Sequence, residues 1–341
     1  MAETSNYFSL SDSDKIDALE AGASKLGRPA DLLEKDIWVV WVLNALFDSA
    51  LGESLVFKGG TSLSKVYKAI DRFSEDVDVT YDIRKIIPDL IDDPAKPYPP
   101  NRSQAKKWTE VAQSRLSGGV HDDVVPLLDG KIAAEGVGAE LRLEGDNLYL
   151  DYRAVRSGTG YVRPTVLLEF GARSTGEPAE RQSVRCDLAE AIGGLTLPEA
   201  RPRVMKAERT FWEKATAVHA YCLRGTFRGG DRYARHWYDL DCLDQIGIAE
   251  NALHDRVLAN EVAEHKQHFF RETDNTGSVI DYQAAAAGSL TLVPSGAPLS
   301  ALEEDYRKMV DAGLLQSDAI SFHDLMERLS ILQKRANAQN T

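Results

Sequence analysis

The chain has 341 residues, with 40 Lys and Arg against 53 Asp and Glu and a formal net charge of −13. That length fits one elaborated domain or two intimate ones, and the acidic balance argues against general nucleic-acid binding by the whole molecule. Cys186, Cys222 and Cys242 share no close spacing; they are too few for a disulfide framework or a zinc cage and read as small buried hydrophobes in a reducing compartment.

The opening "MAETSNYFSLSDSDK" has neither the basic nor the apolar run of a signal peptide. Helices are expected over 11–27 and 31–48. The second contains "IWVVWVLNALF", which is too short to span a bilayer and reads as a buried helix with Trp38 and Trp41 in the core. A cytoplasmic protein without a membrane partner is therefore expected. "SLVFKGG" reads as a short buried strand stopped by glycines, and "TSLSKVYKAI" as a helix with Thr61 and Ser62 in its first turn. "DVDVTYDI" alternates acidic and apolar residues at the period of a half-buried strand. The proline-rich stretch after Arg84 and the helical "AKKWTEVAQSRL" suggest an insertion over 84–138.

Three further strand-like runs follow, "AELRLEG", "NLYLDYRA" and "TVLLEFGA", the first two joined by a Gly145-Asp146 turn. From 207 the pattern is helical, over 207–223, 231–245, 250–270, 301–312 and 319–337, with a loop-like gap at 271–300. The organisation is thus a domain of strands and helices over 1–200, then a helical domain over 201–341. Between Arg201 and Arg235 lie nine basic residues (Arg201, Arg203, Lys206, Arg209, Lys214, Arg224, Arg228, Arg232 and Arg235) against Glu208, Glu213 and Asp231. Such a run is most often a solvated helical surface, and it also offers a local phosphate-binding face.

Asp76 and Asp78, two apart on a strand, point to the same face, and carboxylates held that close repel unless a cation lies between them. Hard oxygen ligands suit Mg²⁺ or Mn²⁺ rather than zinc. Gly59 and Gly60 at the strand end let backbone N–H groups approach phosphate oxygens. Thr61 and Ser62 add hydroxyls, and Lys58 and Ser74 flank this cradle. A phosphate cradle beside metal carboxylates makes a site for a nucleoside triphosphate and its metal ion, without the order of a P-loop. Glu169, an acid inside the apolar strand "TVLLEFG", is the candidate third carboxylate. "EHKQH" places His265 and His268 three apart, a spacing that more often marks a solvated face than a metal site.

"FKGGTSL" with "RFSEDVD", "VLLEFGAR", "ERTFWEKATAVHAY" and "RHWYDLDCL", in that order over roughly residues 30–335, resemble the motifs of the AbiEii/AbiGii-type nucleotidyltransferase toxins, which include the MenT toxins. The resemblance implies an α+β fold of the polymerase-beta type, with a mixed sheet and a helical C-terminal domain that completes the active site. It implies Mg²⁺ or Mn²⁺ on Asp76, Asp78 and Glu169, with NTP as substrate. Lys214 would neutralise the triphosphate, and Asp239 would hold Lys214 or assist the base, with Asp241 as a rival. It further implies transfer of a nucleoside monophosphate to an acceptor such as the tRNA 3′ end, growth arrest in phage defence, and a cognate antitoxin partner. The alternatives are a toxin that binds NTP without transfer, and a transferase acting on a protein or small molecule.

Overall fold

The computed structural model describes residues 5–72, 74, 76–156, 163–225, 232–313, 315 and 319–338. The chain divides into two compact units. The first comprises Met1–Val66, Glu75–Asp89 and Glu110–Met205, and the second Tyr67–Ser74, Leu90–Thr109 and Lys206–Thr341.

The first unit opens with α1 (Asp12–Leu26), capped by the Ser11 hydroxyl, which accepts the Asp14 N–H, and closed by Gly27 at φ 66°. Helix α2 (Ala30–Phe47) is apolar nearly all round and buries Ile37, Trp38, Val40, Trp41 and Leu43, as its run of hydrophobic residues requires of a central helix. Strand β1 (Leu55–Lys58) runs directly into the short helix α3 (Gly59–Lys65), and β2 (Val77–Tyr81) follows. Next come α4 (Arg102–Gly119), whose residues from Glu110 on belong to this unit, a π-helical turn at Val120–Val124, and α5 (Val125–Glu135). Of the stretch 84–138, the part in this unit buries Ala112, Leu116, Val120, Val124 and Leu128, so it contributes to the core.

Strands β3 (Ala139–Glu144), β4 (Asn147–Tyr152), β5 (Thr165–Gly171), β6 (Ala179–Arg181) and β7 (Arg203–Met205) complete a seven-stranded sheet in the order β3-β4-β5-β2-β1-β7-β6. The sheet is mixed: β5/β2 and β1/β7 pair parallel and the other neighbours antiparallel. Gly145 at φ 61° makes the expected turn between β3 and β4. One sheet face buries Leu55, Phe57, Val77, Val79, Leu148, Leu150, Val166 and Leu168, with α2 lying against β5.

The second unit is helical: α6 (Ala207–Arg224), α7 (Ala234–Gln245), α8 (Ile248–His254), α9 (Arg256–Phe269), α10 (Ala297–Asp311) and α11 (Phe322–Ala338). Helix α6 packs on α7, α8 and α9, and α7 also packs on α10 and α11.

Three local expectations change. The helix after the glycines stops at Lys65, because Val66 and Tyr67 leave it and Lys68 takes φ 49°. The single helix expected over 250–270 is two, since the Asp255 carboxylate accepts the Leu258 N–H and starts a new helix there. The gap at 271–300 holds a short helical segment, Tyr282–Ala284, that runs into a π turn at Ala285–Ser289. No helix among the described residues is long and apolar enough to cross a membrane. The three cysteines are free; Cys186 is buried, while Cys222 and Cys242 are partly accessible.

Candidate active site

Strand register assembles the first cluster. Lys58 on β1 is the direct partner of Asp78 on β2, Asp78 is the partner of Glu169 on β5, and Glu169 is the partner of Asn147 on β4. Paired residues share a sheet face, so these four side chains form a transverse row opposite the buried face carrying Val77 and Val79. Asp76 stands just before β2, two residues from Asp78, and is half-buried, as is Ser74.

The electrostatics of the row are unbalanced. Glu169 is an exposed residue, yet its carboxyl is pushed above its ordinary value, first by loss of hydration and then by the Asp78 and Asp76 charges, with Lys58 pulling the other way. The Asp78 side chain, directly across the parallel strand pair, adds to the rise.

Gly59 makes room for this arrangement. It sits at φ 79°, and a Cβ added there would lie 2.0 Å from Asp78 Oδ2, so only glycine lets that carboxylate rest against the backbone. Thr61 and Ser62 are buried. The Thr61 hydroxyl donates to the Asp76 carbonyl at 2.5 Å and the Ser62 hydroxyl to the Gly59 carbonyl at 2.9 Å. Their hydrogens thus brace the loop that carries the acids rather than standing free for a phosphate. Gly60, just before Thr61, is also buried.

The donor set fits a hard divalent cation: two carboxylates paired across parallel strands, a third two residues before one of them, and a backbone cleared of side chain by Gly59. Among the described residues, three ligand atoms within 4.8 Å of one another occur at His323, Asp324 and Glu327, all exposed, where α11 begins.

The second cluster lies within the helical unit. Lys214, on the face of α6 that also buries Phe211, Ala215 and Val218, places Nζ 2.9 Å from Asp239 Oδ2. Asp239, on α7, is fully buried. Arg72 meets the same carboxylate through Nε at 2.6 Å and Nη2 at 2.8 Å, a side-by-side fork. Burial alone would push the Asp239 carboxyl up; Arg72 and then Lys214 outweigh it and hold the group far below the usual carboxylate range.

Asp241, the rival, is also buried but pairs with Arg328 at 3.2 Å, and burial raises its carboxyl. Beside the cluster, burial first and then Lys214 push the His236 imidazole well below its ordinary value, so it is neutral, and its Nδ1 is buried without a hydrogen-bond partner.

Arg72 is the residue the sequence did not bring forward. Its one signal was a basic side chain in the loop between the glycine pair and the aspartates, and nothing local tied it to an acid on α7. The basic run also differs from a uniformly solvated face. Arg209 and Lys214 are buried, Arg209 pairs with Glu213 at 3.1 Å, and Arg224 pairs with Glu272 at 2.8 Å while lying over the Tyr221 ring. Arg201, Lys206 and Arg232 are exposed, and Arg228 lies outside the described residues. The "EHKQH" reading is corrected as well: His265 is buried near Phe269, and His268 stacks on Tyr98.

A mixed sheet bearing paired carboxylates beside a glycine-cleared turn, in a chain whose second half is helical, is the layout of a nucleotidyltransferase. The family model described as nucleotidyl transferase AbiEii toxin, Type IV TA system, matches residues 41–328, and the chain belongs to that family. Seven solved chains match. One of them is the nucleotidyltransferase toxin MenT4 from Mycobacterium tuberculosis H37Rv, with 19% sequence identity, a TM-score of 0.48, and coverage of 96% of this chain and 89% of that one. No curated protein gives a match. The motif resemblance in the sequence is borne out at the level of family, and the protein is a nucleotidyltransferase of a toxin–antitoxin family.

Proposed function

We propose that this enzyme transfers a nucleoside monophosphate from an NTP to an acceptor hydroxyl, that of the tRNA 3′ end, and so arrests growth in the cytoplasm as a phage-defence toxin restrained by a cognate antitoxin. The observation that carries the reading is the row Lys58–Asp78–Glu169 with Asp78 seated against Gly59. Two carboxyls paired across neighbouring strands on an open face cost stability unless a cation joins them.

Asp76, Asp78 and Glu169 would hold Mg²⁺ or Mn²⁺, which when bound supplies charge neutralisation for the triphosphate and orients it for in-line displacement. The acceptor oxygen forms its bond to the α-phosphorus as the bond from that phosphorus to the bridging oxygen breaks, and pyrophosphate leaves with the electron pair. The hydroxyl proton passes to a carboxylate, and Glu169, raised above its ordinary value, is the acid–base group suited to take it. Lys58, Gly59, Gly60, Thr61, Ser62 and Ser74 shape the strand end that receives phosphate oxygens, the two hydroxyls acting through the backbone they brace. Lys214 supplies a cation to the departing pyrophosphate, and Asp239 positions it.

Incubating the protein with total tRNA, Mg²⁺ and each labelled NTP, beside an Asp76→Ala control, tests this reading. Label entering RNA with the wild type alone supports it and identifies the nucleotide. NTP binding without label in any RNA turns the reading to a toxin that acts by binding, or to a protein or small-molecule acceptor.

A further inference from the structure

The register that assembles the acids also gives their row a direction. Lys58 and the Gly59 turn stand at one end, with Asp78 and Glu169 in the middle. Asn147 is one strand further on, about 5 Å past Glu169. Glu144, the partner of Asn147 on β3, is already hydrogen-bonded by the Arg142 guanidinium. Asn147 is half-buried, and among the described residues its carboxamide makes no hydrogen bond. The hairpin turn that carries it is anchored, because the Asp146 carboxylate accepts from the Ser117 hydroxyl and, at 2.8 Å, from Gln113 Nε2. Two residues on and on the same face stands Tyr149, with the Arg142 guanidinium 4.3 Å from its ring centre.

In-line displacement places the attacking oxygen opposite the leaving pyrophosphate across the α-phosphorus. With phosphate oxygens received at Lys58 and Gly59, the acceptor hydroxyl enters from the Asn147 end of the row, past Glu169. We propose that Asn147 is a specificity residue for the acceptor: its carboxamide hydrogen-bonds the 2′-hydroxyl of a terminal ribose and turns the vicinal 3′-hydroxyl toward Glu169. The amide oxygen accepts the 2′ O–H, a contact that an end lacking this hydroxyl cannot make. The Tyr149–Arg142 stack on the same face suits the attached base, since aromatic rings and guanidinium planes both stack on nucleobases. This role rests on the transferase reading and adds to it which part of the acceptor is read.

The test uses two RNAs copying a tRNA acceptor stem, one ending in a ribonucleotide and its twin in a 2′-deoxynucleotide that keeps the 3′-hydroxyl. Label transferred from each NTP to both RNAs is measured for full-length wild type, Asn147→Ala and Asn147→Leu, with unfolding temperatures recorded. Binding of both RNAs is read beside transfer, in Mg²⁺ with a non-hydrolysable NTP analogue. The wild type is expected to prefer the ribonucleotide end by about tenfold in kcat/KM and in affinity, the size of one hydrogen bond. Both variants are expected to lose that preference while their KM for NTP stays unchanged.

Equal use of the two ends by the wild type overturns the proposal, as does a preference that survives in Asn147→Leu. An equal loss on both ends in the variants, with the preference kept, also overturns it and makes Asn147 a support of the hairpin. Should Asn147→Ala fail to fold, Asn147→Leu, which is of similar size, carries the decision. Transfer and contact fail separately. Label entering RNA without preference for either end leaves the transferase reading standing and removes the role of Asn147. A binding preference that Asn147→Leu abolishes, with no label in any RNA, does the reverse. Neither binding nor label overturns both.

Discussion

On the sheet, Glu169 faces Asp78, whose charge helps push the Glu169 carboxyl above its ordinary value, whereas in the helical unit Asp239 faces Arg72 and Lys214 and is held ionised. The first acid pair lies on a partly open strand face, and the second cluster is buried. Desolvation opposes the charge in both places, so the sign of the neighbours decides the outcome. An acid whose counter-charges come from its own chain holds structure together. An acid set against another acid is incomplete, and a divalent cation would complete it.

The sharpest way to break this comparison is Asp78→Asn beside Asp239→Asn. Asp78→Asn is expected to lower nucleotide transfer by about 10³-fold or more, through loss of a group that orients the triphosphate's cation. Its unfolding temperature should hold or rise, because repulsion with Glu169 is relieved. Labelled transfer and thermal melts read the two effects, and a markedly lower melting point would make Asp78 a structural acid instead. Asp239→Asn should do the opposite to stability, losing about 3–5 kcal/mol in urea unfolding because two buried cations lose their counter-charge.

Gly59→Ala comes next. The added Cβ would strike Asp78 Oδ2, and the positive φ penalises any side chain; a loss of about 1–3 kcal/mol is expected, with weakened Mg²⁺ activation. Near-normal activation by Mg²⁺ would show that Asp78 does not need its seat on the backbone.

Glu169 sharpens the comparison through pH. Its folded-state value is raised above the ordinary 4.5, so the folded protein holds this proton more tightly than the unfolded chain. The group's stabilising contribution is therefore fully present below about 4.5 and is lost as pH rises through the raised folded value. Mg²⁺ binding runs the other way, since the ligand must lose its proton. Melts between pH 4.5 and 7, with and without Mg²⁺, should show the gap between the two series opening as pH rises. Glu169→Gln should flatten it, and an unchanged gap in that variant would take Glu169 out of the cation's oxygen set. Thr61→Val is the mildest change: it removes one hydrogen bond to the Asp76 carbonyl, worth about 1 kcal/mol in a denaturant melt.

Much of the sheet cluster was legible before folding was known. The alternation of "DVDVTY" placed Asp76 and Asp78 on one side, the glycine pair marked the strand end, and an acid in "TVLLEFG" stood out against its neighbours. The helical cluster was less legible. Lys214 and Asp239 were singled out through a motif resemblance, and Arg72 was passed over altogether. A residue's partner far along the chain leaves no periodic trace, and the basic run concealed that Arg209 and Lys214 are buried while Lys206 is exposed.

The sequence by itself determined what short-range physics controls: a strand that alternates, a buried apolar helix expected over 31–48, and a glycine pair that stops a strand. Only the tertiary structure decided that Asp78 meets Glu169 across a parallel pair, and that Asp239 is shared by Arg72 and Lys214. The reason is that strand register and the desolvation of charge are set by packing between distant segments, which no local pattern encodes.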